Sequence, residues 1–302
     1  MKRFIYIILA IIMLTGCGKE VKEDSGNPYT DSEGRQVAIN ADHPRAVALS
    51  ASIAEIWLEA GGELVGTTDD SFGERGLLEP GKAEVVGTIK TPNVETILAL
   101  SPDIVLLAPD IAGHVEAAAV LDDAGVPYFY VDATSFESYD ETMMAFTEMT
   151  GKPENYEKYV MQPKAAIEDI IAFAKEKEQK SVLLLRAYSS GVKVKNTGTA
   201  AGILDDFETR NIASDDKSLL EDLSLEKIYE EDPQIVLIVT MGDDEAEIAK
   251  ALDEYLFSDP IWSELSAVKN GHVVYLPKDL FHYKPNGRWE EAYSYLYEEI
   301  FG

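Results

Sequence analysis

The sequence predicts an α/β protein made of two similar lobes, each built on a mainly parallel sheet, and joined by one long helix. Three observations support this prediction. Short, continuous apolar segments alternate with amphipathic segments through most of the chain, a pattern typical of parallel strands covered on both faces by helices. One helix–strand unit occurs twice, and a single long amphipathic stretch separates its two copies.

The repeated unit recurs 131 residues further along the chain without a gap. Residues 94–107 (VETILALSPDIVLL) match residues 225–238 (LEKIYEEDPQIVLI), and each copy predicts a short helix, a turn containing proline and a buried strand. A second, weaker match pairs residues 46–49 (AVAL) with residues 181–185 (SVLLL). These matches predict an N-terminal lobe over residues 41–152 and a C-terminal lobe over residues 180–302.

The predicted elements alternate in both lobes. The first lobe has strands at about 46–50, 64–68, 103–108 and 127–131, and helices at about 52–60, 93–100 and 113–125. The second lobe has strands near 181–187, 192–195, 235–239 and 272–276, and helices near 199–206, 225–231, 245–253 and 287–300. Between them, residues 153–179 carry apolar side chains at helical spacing, which predicts an inter-lobe helix with a kink or break at Pro163.

The N-terminus has the features of an export signal. A basic start precedes an apolar run at residues 4–14, which as a helix is about 16 Å long and too short for a hydrocarbon core of about 30 Å. The sequence Leu14-Thr15-Gly16-Cys17 resembles the lipobox of bacterial lipoproteins, and Cys17 is the only cysteine. We predict a lipoprotein signal peptide over residues 1–16, lipidation of Cys17 and a flexible tether over residues 17–40. The alternatives are an uncleaved anchor or a free buried cysteine.

Charge and composition exclude several classes of function. The formal charge of −29 becomes −31 once residues 1–16 are removed, because they contain Lys2 and Arg3 but no acid. Such a charge repels nucleic acid and anionic lipid. The glycine-rich segments 73–76 and 198–202 lack the spacing of a phosphate loop, and no Gly-x-Ser-x-Gly elbow occurs. We predict a monomer that is not an enzyme, has no intrinsic cofactor and contacts the membrane through its lipid alone.

A set of motifs carries a family resemblance. They are the repeat from Asn93 to Val105 with its second copy, Gly87-Thr88, residues 125–135 (GVPYFYVDATS) and residues 271–275 (GHVVY). Over roughly residues 40–300 the chain resembles the substrate-binding lipoproteins of ABC importers for iron complexes, heme and cobalamin. The resemblance implies a class III periplasmic-binding-protein fold. It also implies a lipid-anchored receptor on the outer face of the cell membrane, which captures a ferric siderophore, heme or corrinoid and delivers it to a permease dimer with a cytoplasmic ATPase.

The resemblance also implies docking residues. In that family one glutamate of each lobe meets permease arginines near the start of the repeated helix, and Glu95 and Glu226 occupy those positions. Two carboxylates at equivalent points of similar lobes match a two-fold symmetric partner, where charge pairs steer docking. Each glutamate would also suit the first turn of its helix through the helix dipole alone.

Ligands of parallel α/β sheets bind beyond the carboxyl ends of the strands, so the loops there supply the candidate cleft residues. They are Ser50, Ser52, Asp70, Phe72, Thr91 and Pro109 in the first lobe, and Arg186, Tyr188, Met241, Phe281, His282, Tyr283 and Lys284 in the second. We expect a flat ligand to stack on Phe281 or Tyr283 while Lys284 meets a carboxylate. Arg186 suits a carboxylate or catecholate oxygen, although an acid on a neighbouring helix would explain it equally well.

Two further interpretations concern metals and other ligands. His282 would be an axial ligand, with Met241 or another residue opposite, only if the cargo is heme, because family members that bind heme use His, Met or Tyr in this way. With four histidines in the chain, a site for bare zinc or manganese is not expected. The alternative function is a receptor or sensor for an oxyanion or another small ligand, without a role in transport.

Overall fold

The computed structural model describes residues 27–242 and 244–302, so the predicted signal peptide and Cys17 lie outside the described residues. The first lobe consists, in chain order, of β1 (Asn27–Thr30), β2 (Gln36–Ile39), β3 (Arg45–Ala48), α1 (Ala51–Glu59), β4 (Glu63–Thr67), β5 (Glu84–Val85), α2 (Val94–Ala99), β6 (Ile104–Leu107), α3 (Ala112–Ala124), β7 (Tyr128–Tyr130) and α4 (Phe136–Thr150). Two 3₁₀ turns, Asp69–Ser71 and Gly73–Arg75, follow β4. The sheet is parallel, in the order β5-β4-β3-β6-β7.

The linker between the lobes is helical, as predicted, but not uniformly α-helical. It runs through α5 (Pro153–Tyr156), a π-helical segment (Glu157–Met161) and α6 (Gln162–Lys175). The π-helical segment ends two residues before Pro163, which has no backbone N–H to donate and cannot fit a regular α-helical turn. The irregularity predicted at this proline is therefore a widened turn within a continuous linker.

The second lobe repeats the architecture of the first. Its elements are β8 (Ser181–Tyr188), β9 (Gly191–Val194), α7 (Thr199–Asp206), β10 (Arg210–Asn211), α8 (Ile212–Asp215), α9 (Ser218–Glu221), α10 (Leu225–Glu231), β11 (Ile235–Thr240), α11 (Glu245–Leu252), α12 (Pro260–Glu264), α13 (Ser266–Lys269), β12 (Val273–Tyr275), α14 (Lys278–Phe281) and α15 (Trp289–Phe301). A π-helical segment, Asp253–Phe257, follows α11, and a 3₁₀ turn, Asn286–Arg288, precedes α15. The order β10-β8-β11-β12 is parallel, and β9 pairs antiparallel with β8.

The sequence repeat corresponds to a structural repeat, which confirms that prediction. Helix α2 leads into β6 in the first lobe, and α10 leads into β11 in the second, with both strands inside their sheets. The caps are equivalent as well, because Asn93 accepts the N–H of Thr96 and Ser224 accepts the N–H of Lys227. The same local sequence signals therefore start the same helix at matching places in the two lobes.

The core continues from one lobe into the other. One face of each sheet packs within its own lobe, as Val105 does in the first and Leu183 in the second. The opposite faces share one apolar cluster, which contains Leu106, Leu184 and Ile167 of the linker helix. Helices α6 and α15 pack against each other within this region. The lobes are thus joined by buried apolar contact as well as by chain connection. Among the described helices, none is long and apolar enough to cross a membrane.

The N-terminal hairpin corrects one predicted boundary. Residues 27–39 were expected within the tether, but β1 and β2 pair antiparallel and belong to the first lobe. Asp31, whose side chain is fully buried, accepts the N–H groups of Arg35 (2.9 Å) and of Tyr130 in the edge strand β7 (3.2 Å). The Arg35 guanidinium pairs with Asp31 (2.6 Å) and lies over the ring of Tyr128, 4.1 Å from its centroid. A buried acid thus fastens this polar segment to the sheet.

Replacing Asp31 by Ala is expected to lower the free energy of unfolding by about 2–4 kcal/mol. The substitution leaves the partly buried N–H of Tyr130 without its acceptor and removes the partner of Arg35. Urea denaturation measures the change, and Glu33→Ala, an exposed site in the same turn, is the control with an expected effect below about 0.5 kcal/mol. Equal effects of the two substitutions would contradict the role given to Asp31.

Candidate functional site

The carboxyl ends of the strands in the two sheets are brought together across the lobe boundary. In the first lobe, Ser50 and Ser52 follow β3 and Pro109 follows β6. In the second lobe, the segment Tyr283–Gly287 follows β12 and α14, and it contacts helix α1 of the first lobe. Of the predicted cleft loops, the one after β3 and the one after α14 therefore meet at the lobe boundary.

Three first-lobe candidates, Ser50, Thr91 and Asp70, have structural partners. Ser50 is buried and caps α1 by accepting the N–H of Ile53 (3.3 Å). Asp70 accepts the N–H of Ala51 (2.9 Å) and the hydroxyl of Thr68 (2.5 Å). The side chain of Thr91 is exposed and lies 2.8 Å from the hydroxyl of Thr88. Ser50 and Asp70 therefore hold the first turn of α1 in place.

Ser52, Phe72 and Pro109 remain partly open. All three are half-buried at the carboxyl edge of the first-lobe sheet. The hydroxyl of Ser52 accepts from Arg75 (2.9 Å) and donates to the carbonyl of Tyr283 in the other lobe (3.4 Å). Ser52 thus stands where the two lobes meet.

The segment 281–285 differs from expectation in one respect. The prediction that Phe281 offers a ring to a ligand is wrong, because Phe281 is buried in the core and packs against Tyr295 with ring centroids 5.9 Å apart. It occupies the last turn of the short helix α14, whose apolar side faces inward. The rings of His282 and Tyr283 are half-buried and pack against each other at a tilt of 35°, with centroids 4.7 Å apart.

Lys284 brings a desolvated cation to the lobe boundary. Its backbone is left-handed, with φ of +71°, which is uncommon for a residue other than glycine. Burial lowers the pKa of Lys284 below its ordinary value, while Asp132 and Asp110, which follow first-lobe strands β7 and β6, act in the opposite direction. This lysine of the second lobe therefore interacts electrostatically with two acids at the carboxyl edge of the first-lobe sheet.

Arg186 near the end of β8 is the second cation of this region. Its Nε is buried without a hydrogen-bond partner, and within residues 27–242 and 244–302 the guanidinium makes no ion pair. A buried N–H normally has an acceptor, so the unpaired Nε is costly without one. Tyr188, two residues further along β8, and Met241, directly after β11, are half-buried at the same edge.

The two predicted docking glutamates occupy equivalent places. Glu95 lies in the first turn of α2 and Glu226 in the first turn of α10, and both are exposed. This geometry is available both to a membrane partner and to the dipole of each helix. Their docking role stays a prediction.

Four polar residues at the boundary were missed by sequence reasoning. They are Glu55 and Glu59 on α1, Arg75 at the end of the 3₁₀ turn Gly73–Arg75, and Asn286 in the second lobe. Arg75 is nearly buried, pairs with Glu55 (2.6 Å) and lies over the ring of Tyr283, 4.9 Å from its centroid. Asn286 donates to Glu55 (2.7 Å). No local motif marks these residues, because their partners lie far away in the sequence.

His114 in α3 hydrogen-bonds to the chain directly after β6, at the carboxyl edge of the first-lobe sheet. It is fully buried, and its Nδ1 accepts the N–H of Ala108 at the end of β6 (2.9 Å). Burial lowers the pKa of His114, while the neighbouring backbone of Ile89 and Leu49 acts in the opposite direction. In the described residues, no group of three or more His, Cys, Asp or Glu side chains is placed to hold a metal ion.

Two α/β lobes joined by one helical linker, with loops of both lobes meeting at their boundary, are the architecture of a two-lobe binding protein. The sequence profile of the periplasmic binding protein family matches residues 47–280, and the chain belongs to that family. Residues 1–17 match the prokaryotic membrane lipoprotein lipid attachment site, which ends at Cys17. The protein is therefore a lipoprotein on the extracytoplasmic side of a membrane that binds substrate for an ABC importer, as the sequence predicted.

Individual proteins show the same likeness. The Fe(3+)-citrate-binding protein YfmC of Bacillus subtilis (strain 168) is 25% identical over 289 residues, which are 90% of this chain and 88% of the relative. The structure of Staphylococcus aureus SirA complexed with staphyloferrin B has a TM-score of 0.68 and 19% identity, covering 90% of this chain and 98% of SirA. That of S. aureus IsdE complexed with heme has a TM-score of 0.69 and 18% identity, covering 86% and 99%. These structures confirm the predicted fold.

The burial of His114 predicts a dependence of stability on pH. Because its pKa lies below the ordinary value near 6.5, the unfolded chain takes up this proton first as the pH falls. The stabilisation from neutral His114 is thus present above about pH 6.5 and is lost as the pH falls towards the folded-state pKa. Chemical denaturation between pH 7.5 and 5 should show the wild type losing stability relative to His114→Gln. Parallel profiles of the two proteins would contradict this account.

Proposed function

We propose that this protein captures an anionic ferric chelate, with a ferric siderophore as the leading case, and delivers it to an ABC permease. The observation that carries the proposal is a pair of cations near strand ends of the second lobe, Arg186 in β8 and Lys284 beyond β12. Arg186 has a buried Nε without a partner, and Lys284 is desolvated. Both suit carboxylate or catecholate oxygens.

The charge of the whole chain sharpens this argument. At −31 after removal of the signal, the protein repels a free anion, so a site for one needs a local excess of positive charge. An electrically neutral corrinoid has no need of such cations. The name of the relative YfmC, which refers to ferric citrate, points in the same direction.

Heme is the second candidate, and one observation favours it. His282 and Tyr283 present rings packed against each other at the cleft boundary, and either side chain type can be an axial ligand of heme iron. The heme propionates would then meet the same cations. In either case the protein acts as a monomer tethered by its lipid, carries out no reaction, and hands its cargo to a permease dimer with a cytoplasmic ATPase.

Replacing Arg186 by Gln is expected to weaken binding of the anionic chelate about 10- to 100-fold, the loss of one or two charge-assisted hydrogen bonds. Tryptophan fluorescence titrations with ferric citrate and with a ferric tris-catecholate measure the affinity. Arg210→Gln is the matched control, because Arg210 starts β10 at the opposite end of the sheet and already pairs with Asp215 and Glu231. Equal affinities of Arg186→Gln and the wild type would remove the main support for an anionic cargo.

Charge reversal at the docking positions separates transport from binding. In Glu95→Arg with Glu226→Arg, we expect uptake of radiolabelled iron chelate by cells to fall at least tenfold, while the purified protein binds the chelate with unchanged affinity. The control reverses two other exposed glutamates, Glu116 and Glu230. Undiminished uptake in the Glu95 and Glu226 variant would show that docking does not use these residues.

A further inference from the structure

The second lobe rests on the polar face of helix α1. Residues 283–287 cross from one lobe to the other and make four hydrogen bonds to it, at Ser52 (twice), Glu55 and Glu59. These bonds lie directly beside Tyr283 and Lys284, two candidate ligand residues. The hydrogen bonds that hold this loop on α1 therefore also position Tyr283 and Lys284.

Glu55 forms the outer half of this junction. One oxygen, Oε2, accepts from Asn286 (2.7 Å) in the second lobe and from Arg75 (2.6 Å) in the first. Asn286 is 1% exposed, has a left-handed backbone with φ of +47°, and donates also to the carbonyl of Ser52 (3.2 Å). Arg75 reaches back to the hydroxyl of Ser52 and lies over the ring of Tyr283. A fully buried amide thus joins the two lobes through one carboxylate.

Glu59, one helical turn further along, forms the inner half. Its Oε1 accepts the backbone N–H of Gly287 (3.0 Å), and its Oε2 accepts the hydroxyl of Tyr139 in α4 (3.0 Å). A Cβ at position 287 would lie 2.6 Å from Oε1 and 2.8 Å from the ring of Tyr159 in the linker. The close approach of the loop to Glu59 therefore requires glycine.

We propose that Glu55 and Glu59 are positioning residues for substrate capture, because they hold residues 283–287 of the second lobe against helix α1 and so fix Tyr283 and Lys284 at the cleft. The effect of Glu55 and Glu59 on substrate capture rests on the proposed function. The contact between residues 283–287 and helix α1 does not depend on that function, because it is formed within the chain.

The charges around Glu59 make the junction sensitive to pH. Burial raises the pKa of Glu59 to about 7, and the neighbouring carboxylate of Glu55 adds to the rise, while the Gly287 N–H, the Tyr139 hydroxyl and Lys158 act in the opposite direction. Tyr159 of the linker lies beside Gly287 and Tyr139, and Arg75 faces Glu55. When the loop leaves, Glu59 loses the Gly287 N–H that lowered its pKa but gains water, and because burial is the largest cause of the rise, its pKa falls towards the ordinary value. The seated loop thus binds the proton more tightly, so seating is favoured at low pH and weakens as the pH rises through 7.

Hydrogen exchange in the ligand-free protein tests the proposal directly. The chain from residue 18 onward contains every described residue, and a peptide spanning residues 282–288 reports the Gly287 amide. After correction for intrinsic exchange rates, we expect its protection to fall at least tenfold between pH 5.5 and pH 8 in the wild type, because the pKa of Glu59 is about 7 when the loop is seated, well above the 4.5 of a solvated glutamate carboxyl. In Glu59→Gln, which keeps an acceptor for Gly287 but cannot titrate, protection is independent of pH.

Two further variants distinguish positioning from general stability. Asn286→Ala is expected to lower protection at every pH and to keep the slope with pH, whereas Glu116→Gln, an exposed site on α3, should match the wild type. Protection of strand β6 checks that each variant is folded. A wild-type profile that is flat with pH, or one shared with Glu59→Gln, would overturn the proposal. Failure of ferric citrate to bind would count against the proposed function alone and leave this exchange result standing.

Discussion

The arrangement on which the rest of the structure depends is the convergence of two parallel sheets on one boundary. A parallel sheet gathers the carboxyl ends of its strands at one edge, and the loops there can carry polar residues without disturbing the core. In this chain the linker helix and a shared apolar cluster hold two such edges together. The cleft residues, the inter-lobe junction on α1 and the cations of the second lobe all follow from that placement.

The charges near the strand ends also differ from those on the rest of the chain. The chain is strongly acidic, yet Arg186 near the end of β8 and Lys284 at the boundary have no ion pair in the described part of the chain, and Arg75 is neutralised by Glu55. Desolvated charges interact more strongly than exposed ones, so these few groups count for more than the many acids in solvent. A receptor for an anionic chelate needs this combination, because the distant field alone would repel its cargo.

The sequence carries much of the fold and less of the site. The repeat was recognisable because a buried strand and a capped helix leave local patterns, and strands β3, β6, β8 and β11 lie within one or two residues of their predicted bounds. The hairpin of residues 27–39 was missed, since its polar composition is that of a tether and its anchor, Asp31, contacts β7 about a hundred residues away. Glu55 and Asn286 are 231 residues apart, and the inward turn of Phe281 depends on how one short helix packs. Such contacts leave no local pattern.

The central claim is that the cleft selects an anionic ferric chelate, and a parallel titration of the soluble chain tests it most directly. Trp289 of the second lobe is buried against Phe136 and Tyr139 of the first, so its fluorescence reports changes at the contact between the lobes. Ferric citrate, a ferric tris-catecholate, hemin and cyanocobalamin would be compared under one buffer condition. The account predicts saturable one-to-one binding at sub-micromolar concentration by an anionic iron compound and none by cyanocobalamin. Tight binding of cyanocobalamin alone, or of no compound in the panel, would contradict it.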